Sequence, residues 1–162
     1  ANRMNIQNTK DTQLFELYQK LERLIAAGEV ASAYGGAQNI DDPDGDVLSE
    51  FVEFIDEFYP DNRVDWLEAF YQVFAWQFQS CHEGVCTYYS NFYDLSEDQT
   101  VKKTSDFLKG TKHTDLSRTY SMGLDAGQSE YAQIDKWINN NLELVWEFYV
   151  DILEAHKGCW PI

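Results

Sequence analysis

Basic residues are scarce in this chain, and the imbalance of charge is its most unusual property. Twelve Lys and Arg oppose 28 Asp and Glu among 162 residues, which gives a formal net charge of −16. Binding to nucleic-acid phosphates requires a positive surface potential, so a general nucleic-acid-binding role is not expected. The charge instead favours a cationic partner, a metal ion or simply high solubility.

Cysteines and long apolar runs are scarce as well. The three cysteines are an odd number and do not match the disulfide framework of a small secreted protein. No apolar run approaches the ~18 residues that a membrane-spanning helix needs, and the first residues lack the pattern of a secretory signal. We therefore expect a cytoplasmic protein in a reducing compartment, without a membrane partner.

Length and composition are those of one ordinary globular domain. Apolar residues make up 44% of the chain and charged residues 25%, both close to globular averages. Residues 1–10 are polar and are expected to be frayed. Apolar residues then recur at three- and four-residue spacing, and no segment alternates as a strand would. We therefore predict a single all-α domain over residues 11–162, with about seven helices.

Two of these helices dominate the pattern. The helix near residues 62–81 is apolar on most sides, which is typical of a central helix, and Asp61 or Asn62 is expected to cap it. The last helix carries one apolar stripe from about 131 to 156.

The remaining helices are predicted from shorter stripes and from turn residues. One is expected to begin after a loop at 34–46, with Asp46 as its N-cap, and to stop at Pro60. The others are expected near residues 11–28, 85–93, 96–110 and 116–124.

Negative charge is concentrated in one stretch. Residues 41–68 hold eleven Asp and Glu but only Arg63 as a cation, a net charge of −10. On the helix that ends before Pro60, the acids fall within an arc of about 120°, with neighbours roughly 5–6 Å apart. Further acids at 61, 65 and 68 form a second row. The predicted partner-binding residues are Asp46, Glu50, Glu53, Asp56, Glu57, Asp61, Asp65 and Glu68.

Two interpretations of these acidic rows stay open. A phosphate backbone also presents single negative charges a few ångströms apart, so the rows are suited to a surface that normally holds phosphates. The alternative is a solvated face that keeps the protein soluble. Residues 101–118 are the basic counterpart, with five Lys and Arg against two Asp.

A metal or thiol site is a further candidate, around Cys81, His82, Glu83 and Cys86. The four-residue gap between the cysteines does not suit zinc, which usually has gaps of two, and the distant companions are His156 and Cys159. Packing of small apolar thiols is the favoured explanation. The stretch from Asp42 to Glu50 has calcium-loop composition without the calcium-loop spacing. No nucleophile or phosphate-loop motif is present. We therefore expect no catalytic residue, metal or cofactor.

The stretch Cys81-His82-Glu83-Gly84-Val85-Cys86-Thr87-Tyr88-Tyr89-Ser90-Asn91 resembles a motif of the bacterial DNA-mimic-protein-like family, formerly of unknown function. That family carries Asn-Asn-Gly-Gly-Phe-x-Gln-Phe-Phe-x-Asn after a long apolar helix. Gly84 and Asn91 match, and Val85, Tyr88 and Tyr89 are similar in kind, whereas the paired Asn and the first Gly are missing. The resemblance implies an all-helical acidic protein that imitates DNA toward a DNA-binding protein. It carries over no functional residue.

The sequence therefore predicts a non-enzymatic inhibitor that blocks the DNA binding of a basic partner such as a transcription factor. Within the class of binding proteins, the alternative is an immunity protein that neutralises a nuclease toxin. From another class, the alternative is a small enzyme or metal protein centred on Cys81, His82 and Glu83. The sequence is also compatible with a homodimer.

Overall fold

The computed structural model describes residues 12–13, 15–17, 19–20, 47–93 and 100–156. All the regular structure in these ranges is helical, and none of it is a strand, so the prediction of an all-α fold is confirmed. Across the same ranges, no helix combines the length and the apolar character that crossing a bilayer would take. The chain divides into two compact units, Ala1–Arg63 and Val64–Ile162. That residues 11–162 form a single domain stays a prediction.

The first unit contains helical backbone at the described positions between 12 and 20, and a helix α1 at Val47–Phe58. α1 forms because its apolar residues at positions 48, 51, 54 and 55 lie on one face, and all four are buried. Tyr59 still donates its backbone N–H to Ile55 at 2.8 Å, and Pro60 then ends the helical pattern as predicted. The expected cap Asp46 and the loop at 34–46 lie outside the described residues.

The second unit is built around helix α2, at Asp65–His82. Its residues Trp66, Leu67, Phe70, Val73 and Trp76 are buried. The prediction of an apolar central helix is therefore confirmed.

The predicted cap of α2 is wrong. Helix α2 begins at Asp65, and its N-cap is Val64 in an extended conformation without a side-chain cap. Asn62 has a φ of 54°, in the left-handed region that does not continue a right-handed helix. Neither Asp61 nor Asn62 can therefore serve as the cap.

Four shorter elements follow α2. They are α3 at Val85–Tyr93, α4 at Thr100–Lys109, α5 at Thr114–Met122 and a 3-10 turn at Gly123–Asp125. Gly84 separates α2 from α3 with a φ of 98°, a conformation that glycine adopts without steric cost. α2 packs against both α3 and α4. The predicted helix start at 96–98 lies outside the described residues.

The C-terminal segment differs from its prediction. Instead of one helix over 131–156, there are two, α6 at Gln128–Asn140 and α7 at Leu142–Ala155. Asn141 separates them with φ −133° and ψ 35°, and its side-chain Nδ2 donates to the Trp137 carbonyl at 2.8 Å. An asparagine side chain can compete with the backbone for hydrogen bonds in this way, which an apolar stripe does not reveal. Both helices pack on α2.

A buried set of aromatic hydrogen bonds links α2, α3 and α5. Trp76 Nε1 donates to the Tyr89 hydroxyl at 2.9 Å, and that hydroxyl donates to the Tyr120 carbonyl at 2.6 Å. The Tyr88 hydroxyl donates to Gln72 Oε1 at 2.8 Å. Because a hydroxyl has one proton, the 2.6 Å contact between Tyr88 and Tyr120 is then donated by Tyr120. These bonds fix the orientation of all four aromatic side chains within the core.

We expect Gly123→Ala to destabilise the protein by about 3 kcal/mol, the upper part of the range for overpacked cores. Gly123 is buried, and a Cβ atom built on it would overlap the Tyr89 ring. That ring cannot easily move away, because its hydroxyl is bonded to both Trp76 and Tyr120. Urea unfolding would measure the loss.

Gly110→Ala is the matched control. Gly110 is exposed, and the nearest atom to its added Cβ is the Phe107 carbonyl oxygen at 3.4 Å. Replacing a glycine with alanine, at a site that accepts a side chain, leaves the stability of the protein unchanged or increases it. Equal losses in the two variants would contradict the packing explanation. The losses from Gly123→Ala and from Tyr89→Leu should be less than additive when the two changes are combined, because they share one space.

Candidate partner-binding surface

Acidic side chains lie along α1 opposite its buried face. Glu53, Asp56 and Glu57 are exposed, and Glu50 is half-buried. Glu53 and Glu57 are four residues apart, so their positions differ by about 6 Å along the helix axis. The helix is amphipathic because its core residues occupy the other side. The acids at 50, 53 and 57 consequently form a row on one helix.

A groove runs between this row and the N-terminal helical segment of the same unit. It has a volume of about 250 Å³, and its lining includes Glu16, Glu50, Glu53 and Glu57. Two further lining residues, Leu17 and Phe54, are apolar and only 6% and 3% exposed. Apolar side chains bordered by carboxylates suit a long cationic side chain, whose stem is apolar and whose head is charged.

Lys20 also lines this groove. Its Nζ donates to both Glu50 carboxylate oxygens, at 3.2 and 2.9 Å. The side chains of Lys20 and Glu50 are 29% and 40% exposed, so the pair is partly shielded from water. Glu50, predicted as a partner contact, therefore has an internal partner. Residue spacing could not predict this pairing, because Lys20 and Glu50 are 30 residues apart in the sequence.

Asp56 lies near the C-terminal end of α1, and Asp61 lies beyond that end, after Pro60. Arg63 Nη2 lies 3.5 Å from Asp56 Oδ1, and Arg63 Nε donates to the Tyr59 carbonyl at 2.7 Å. The Arg63 side chain is 11% exposed, whereas that of Asp56 is 54% exposed. Arg63 therefore packs against the turn that follows α1 and partly neutralises Asp56. Asp61 is exposed.

The last two predicted acids belong to the second unit. Asp65 and Glu68 are in the first turn of α2, where carboxylates are favoured by the helix dipole. Asp65 is exposed, whereas Glu68 is half-buried and accepts a hydrogen bond from Gln72 Nε2 at 3.2 Å. Whether the acids of the two units act as one binding face stays a prediction. Asp46 lies outside the described residues.

Glu68 is the outer end of a buried polar chain. Gln72, 2% exposed, accepts from Tyr88, which in turn accepts from Tyr120. Burial raises the pKa of Tyr88 and of Tyr120 well above its ordinary value, because an ionised phenol would be poorly solvated there. Sequence reasoning missed this chain. The sequence feature that could have revealed it is Gln72, which follows Glu68 by four residues on an otherwise apolar helix.

The residues of the metal hypothesis do not converge. Cys81, His82 and Glu83 are exposed, and Gln77 Nε2 lies 3.3 Å from Cys81 Sγ. His82 Nδ1 lies 2.8 Å from the Phe78 carbonyl, and its ring stacks on the Phe78 ring with centroids 4.1 Å apart. Within the described part of the chain, no group of three potential metal ligands comes together.

Of the two more distant candidate ligands, His156 and Cys159, only His156 lies within the described residues. His156 stacks on Trp66 with centroids 4.3 Å apart, and partial burial lowers the pKa of His156. Cys159 lies outside the described residues. The buried-packing explanation is wrong for Cys81, which is exposed, while Cys86 is half-buried.

We expect Cys81→Ser to change the free energy of unfolding by no more than about 0.5 kcal/mol, as is usual for exposed positions. The Cys81 sulfur lies 3.3 Å from Gln77 Nε2, and a serine hydroxyl can accept the same hydrogen bond. Urea unfolding and elemental analysis of the purified protein would test this. About one zinc per chain, lost in the variant together with stability, would contradict the expectation that no metal is bound.

Comparison with known proteins adds no relative. The chain matches no family model, no curated protein and no solved structure.

Proposed function

We propose that this chain is an acidic, non-enzymatic protein that presents carboxylates in place of DNA phosphates to a basic DNA-binding partner, such as a transcription factor. Binding would block the partner's access to DNA. The observation that carries the proposal is the exposure of Glu53, Glu57 and Asp61, while the cations Lys20 and Arg63 are engaged with other acids of the same unit. Net charge and the resemblance at residues 81–91 support the same proposal.

The repetition of carboxylates along one side of α1 supports contact with a phosphate-binding surface. Each strand of DNA presents one negative charge per about 3.4 Å of helix axis, and the carboxylates of Glu53 and Glu57 follow each other at a wider step of about 6 Å along α1. A partner with Lys and Arg side chains arranged for phosphates could therefore pair with several carboxylates at once. Such pairs steer association and are weakened by salt.

The contact between Lys20 and Glu50 illustrates how a cation would bind. One ammonium group contacts two carboxylate oxygens at 3.2 and 2.9 Å beside the apolar Leu17 and Phe54. A Lys or Arg of the partner would meet Glu53 and Glu57 in the same groove. Arg is favoured because its planar guanidinium can bind a carboxylate with two parallel hydrogen bonds.

The test is capture of the partner from native cytoplasm at low salt, elution with a salt step, and competition with DNA. We expect the eluted partner to bind DNA, and added protein to displace that DNA in proportion to the complex formed. Failure of the captured partner to bind DNA would contradict the proposal. A captured nuclease whose activity is suppressed would instead favour the role of an immunity protein.

A further inference from the structure

A second charged surface lies on the second unit, and it has the opposite sign. Residues 100–122, which form α4, α5 and their connection, hold five Lys and Arg but only two Asp, in a chain whose formal net charge is −16. The five cations are Lys102, Lys103, Lys109, Lys112 and Arg118. A local excess of positive charge attracts anions even when the whole molecule is acidic.

Two of these cations line a groove between α4 and α5. The groove has a volume of about 460 Å³, and Lys109 and Arg118 contribute to its lining together with four hydroxyl residues. Lys109 and Arg118 are 61% and 68% exposed, so their charged groups can reach a ligand. The hydroxyl residues are Thr111, Thr114, Ser117 and Ser121. Thr111 Oγ1 already donates to the Leu108 carbonyl, and Ser121 Oγ contacts Ser105 Oγ at 2.6 Å. The main donors for a tetrahedral oxyanion are therefore the guanidinium of Arg118 and the ammonium of Lys109.

The groove also includes the beginning of a helix. Thr114 is the first residue of the nine-residue helix α5, and His113 provides no side-chain cap. The first N–H groups of a helix carry partial positive charge, which favours an anion at this end of the groove. The positive charge of the helix end and the charges of Lys109 and Arg118 therefore all favour an anion in this groove.

The connection between α4 and α5 is held in place by α7. Asp151 of α7 contacts Lys112 Nζ at 3.2 Å and His113 Nε2 at 2.9 Å. The edge of the His113 ring packs on Phe148, with ring centroids 5.5 Å apart. Thr111 Oγ1 donates to the Leu108 carbonyl at 2.7 Å. Because these contacts order the connection, the groove is formed before a ligand arrives, which reduces the entropy lost on binding.

We propose that this groove binds a small molecule that carries a phosphate group. The present partners of the two cations are Asp106, 3.8 Å from Lys109, and Asp115, 2.9 Å from Arg118. Both pairs are largely exposed, and such pairs contribute little and exchange readily. A small dianion can replace Asp106 and Asp115 as the partner of these cations. A long acidic peptide would in addition be repelled by the strongly negative chain. The site is separate from the acidic surface of the first unit and does not depend on the function proposed for that surface.

The test is an amide NMR titration of the intact protein with inorganic phosphate and with ribose 5-phosphate, at constant ionic strength maintained with sodium chloride. We expect saturable shifts at the amides of Thr111, Thr114 and Ser117. The double variant Lys109→Gln, Arg118→Gln should weaken binding by about a hundredfold, because each charge-assisted contact accounts for roughly tenfold. Asp115→Asn should strengthen binding, since it removes a like charge and the competitor for Arg118.

The matched control is the double variant Lys102→Gln, Lys103→Gln. Both residues are exposed on α4 and neither lines the groove, yet the change in net charge is the same. Retained binding in the control, with loss in the groove variant, would support the site. Equal losses would mean that only net charge matters, and shifts that do not saturate would mean that no site exists. Tighter binding of hexaglutamate than of either phosphate probe would show that the ligand class is wrong.

Discussion

Reversing Glu53, Glu57 and Asp61 to Lys should weaken binding to the captured partner by about 4 kcal/mol, roughly a thousandfold in Kd. Each substitution removes an attractive contact and adds a repulsive one. The fold should survive, because all three positions are exposed and exposed charges contribute little to stability. Glu50, Asp56 and Glu68 are unsuitable for this test because they contact Lys20, Arg63 and Gln72. Calorimetric titration at two salt concentrations would measure the effect.

The matched control reverses Glu143, Glu147 and Glu154 on α7 to Lys. These three residues are also exposed, and the net charge changes by the same amount. Asp151 is a poorer choice on this helix, since it anchors Lys112 and His113. If both triple variants lose the same affinity, net charge alone governs binding, and Glu53, Glu57 and Asp61 belong to a solvated face. Salt should also weaken binding less in the variant with Glu53, Glu57 and Asp61 reversed, because fewer charge pairs remain to be screened.

At pH 11 the protein should be less stable than at pH 8 by about 4 kcal/mol through three buried tyrosines alone. Burial is the largest cause of the raised pKa of Tyr88, Tyr89 and Tyr120. In the unfolded chain each phenol ionises near pH 10, so the unfolded state is stabilised by about 1.4 kcal/mol per group for each pH unit above that value. Stability is therefore fully present below about pH 10 and is lost as pH rises towards the folded pKa values.

Unfolding in urea at a series of pH values would measure this loss, and absorbance at 295 nm would follow phenol ionisation. We expect these three phenols to ionise only as the protein unfolds. Tyr120→Phe should reduce the pH dependence by about one third, because one of the three groups is removed. Full ionisation near pH 10 of a protein that stays folded would contradict the burial of these rings.

The sequence correctly predicts those local features that depend on the residues of a single helix. The apolar stripe of α1, the break after it at Pro60 and the helix at 85–93 follow from residue spacing and turn residues, and the structure contains all three. The exposure of Glu53 and Glu57 follows from the same geometry, because the opposite side of α1 carries the core residues. Such features depend on residues within about two turns of each other.

The sequence by itself determined the helical class, the net charge of −16 and the face of α1 on which the acids lie. Tertiary structure decided what those acids contact. Lys20 and Glu50 are 30 residues apart in the chain, and the chain from Glu68 through Gln72 to Tyr88 and Tyr120 joins three helices. Periodicity describes one helix at a time, so it shows which side of a helix is polar. It does not show which distant side chain the folded chain brings against that side.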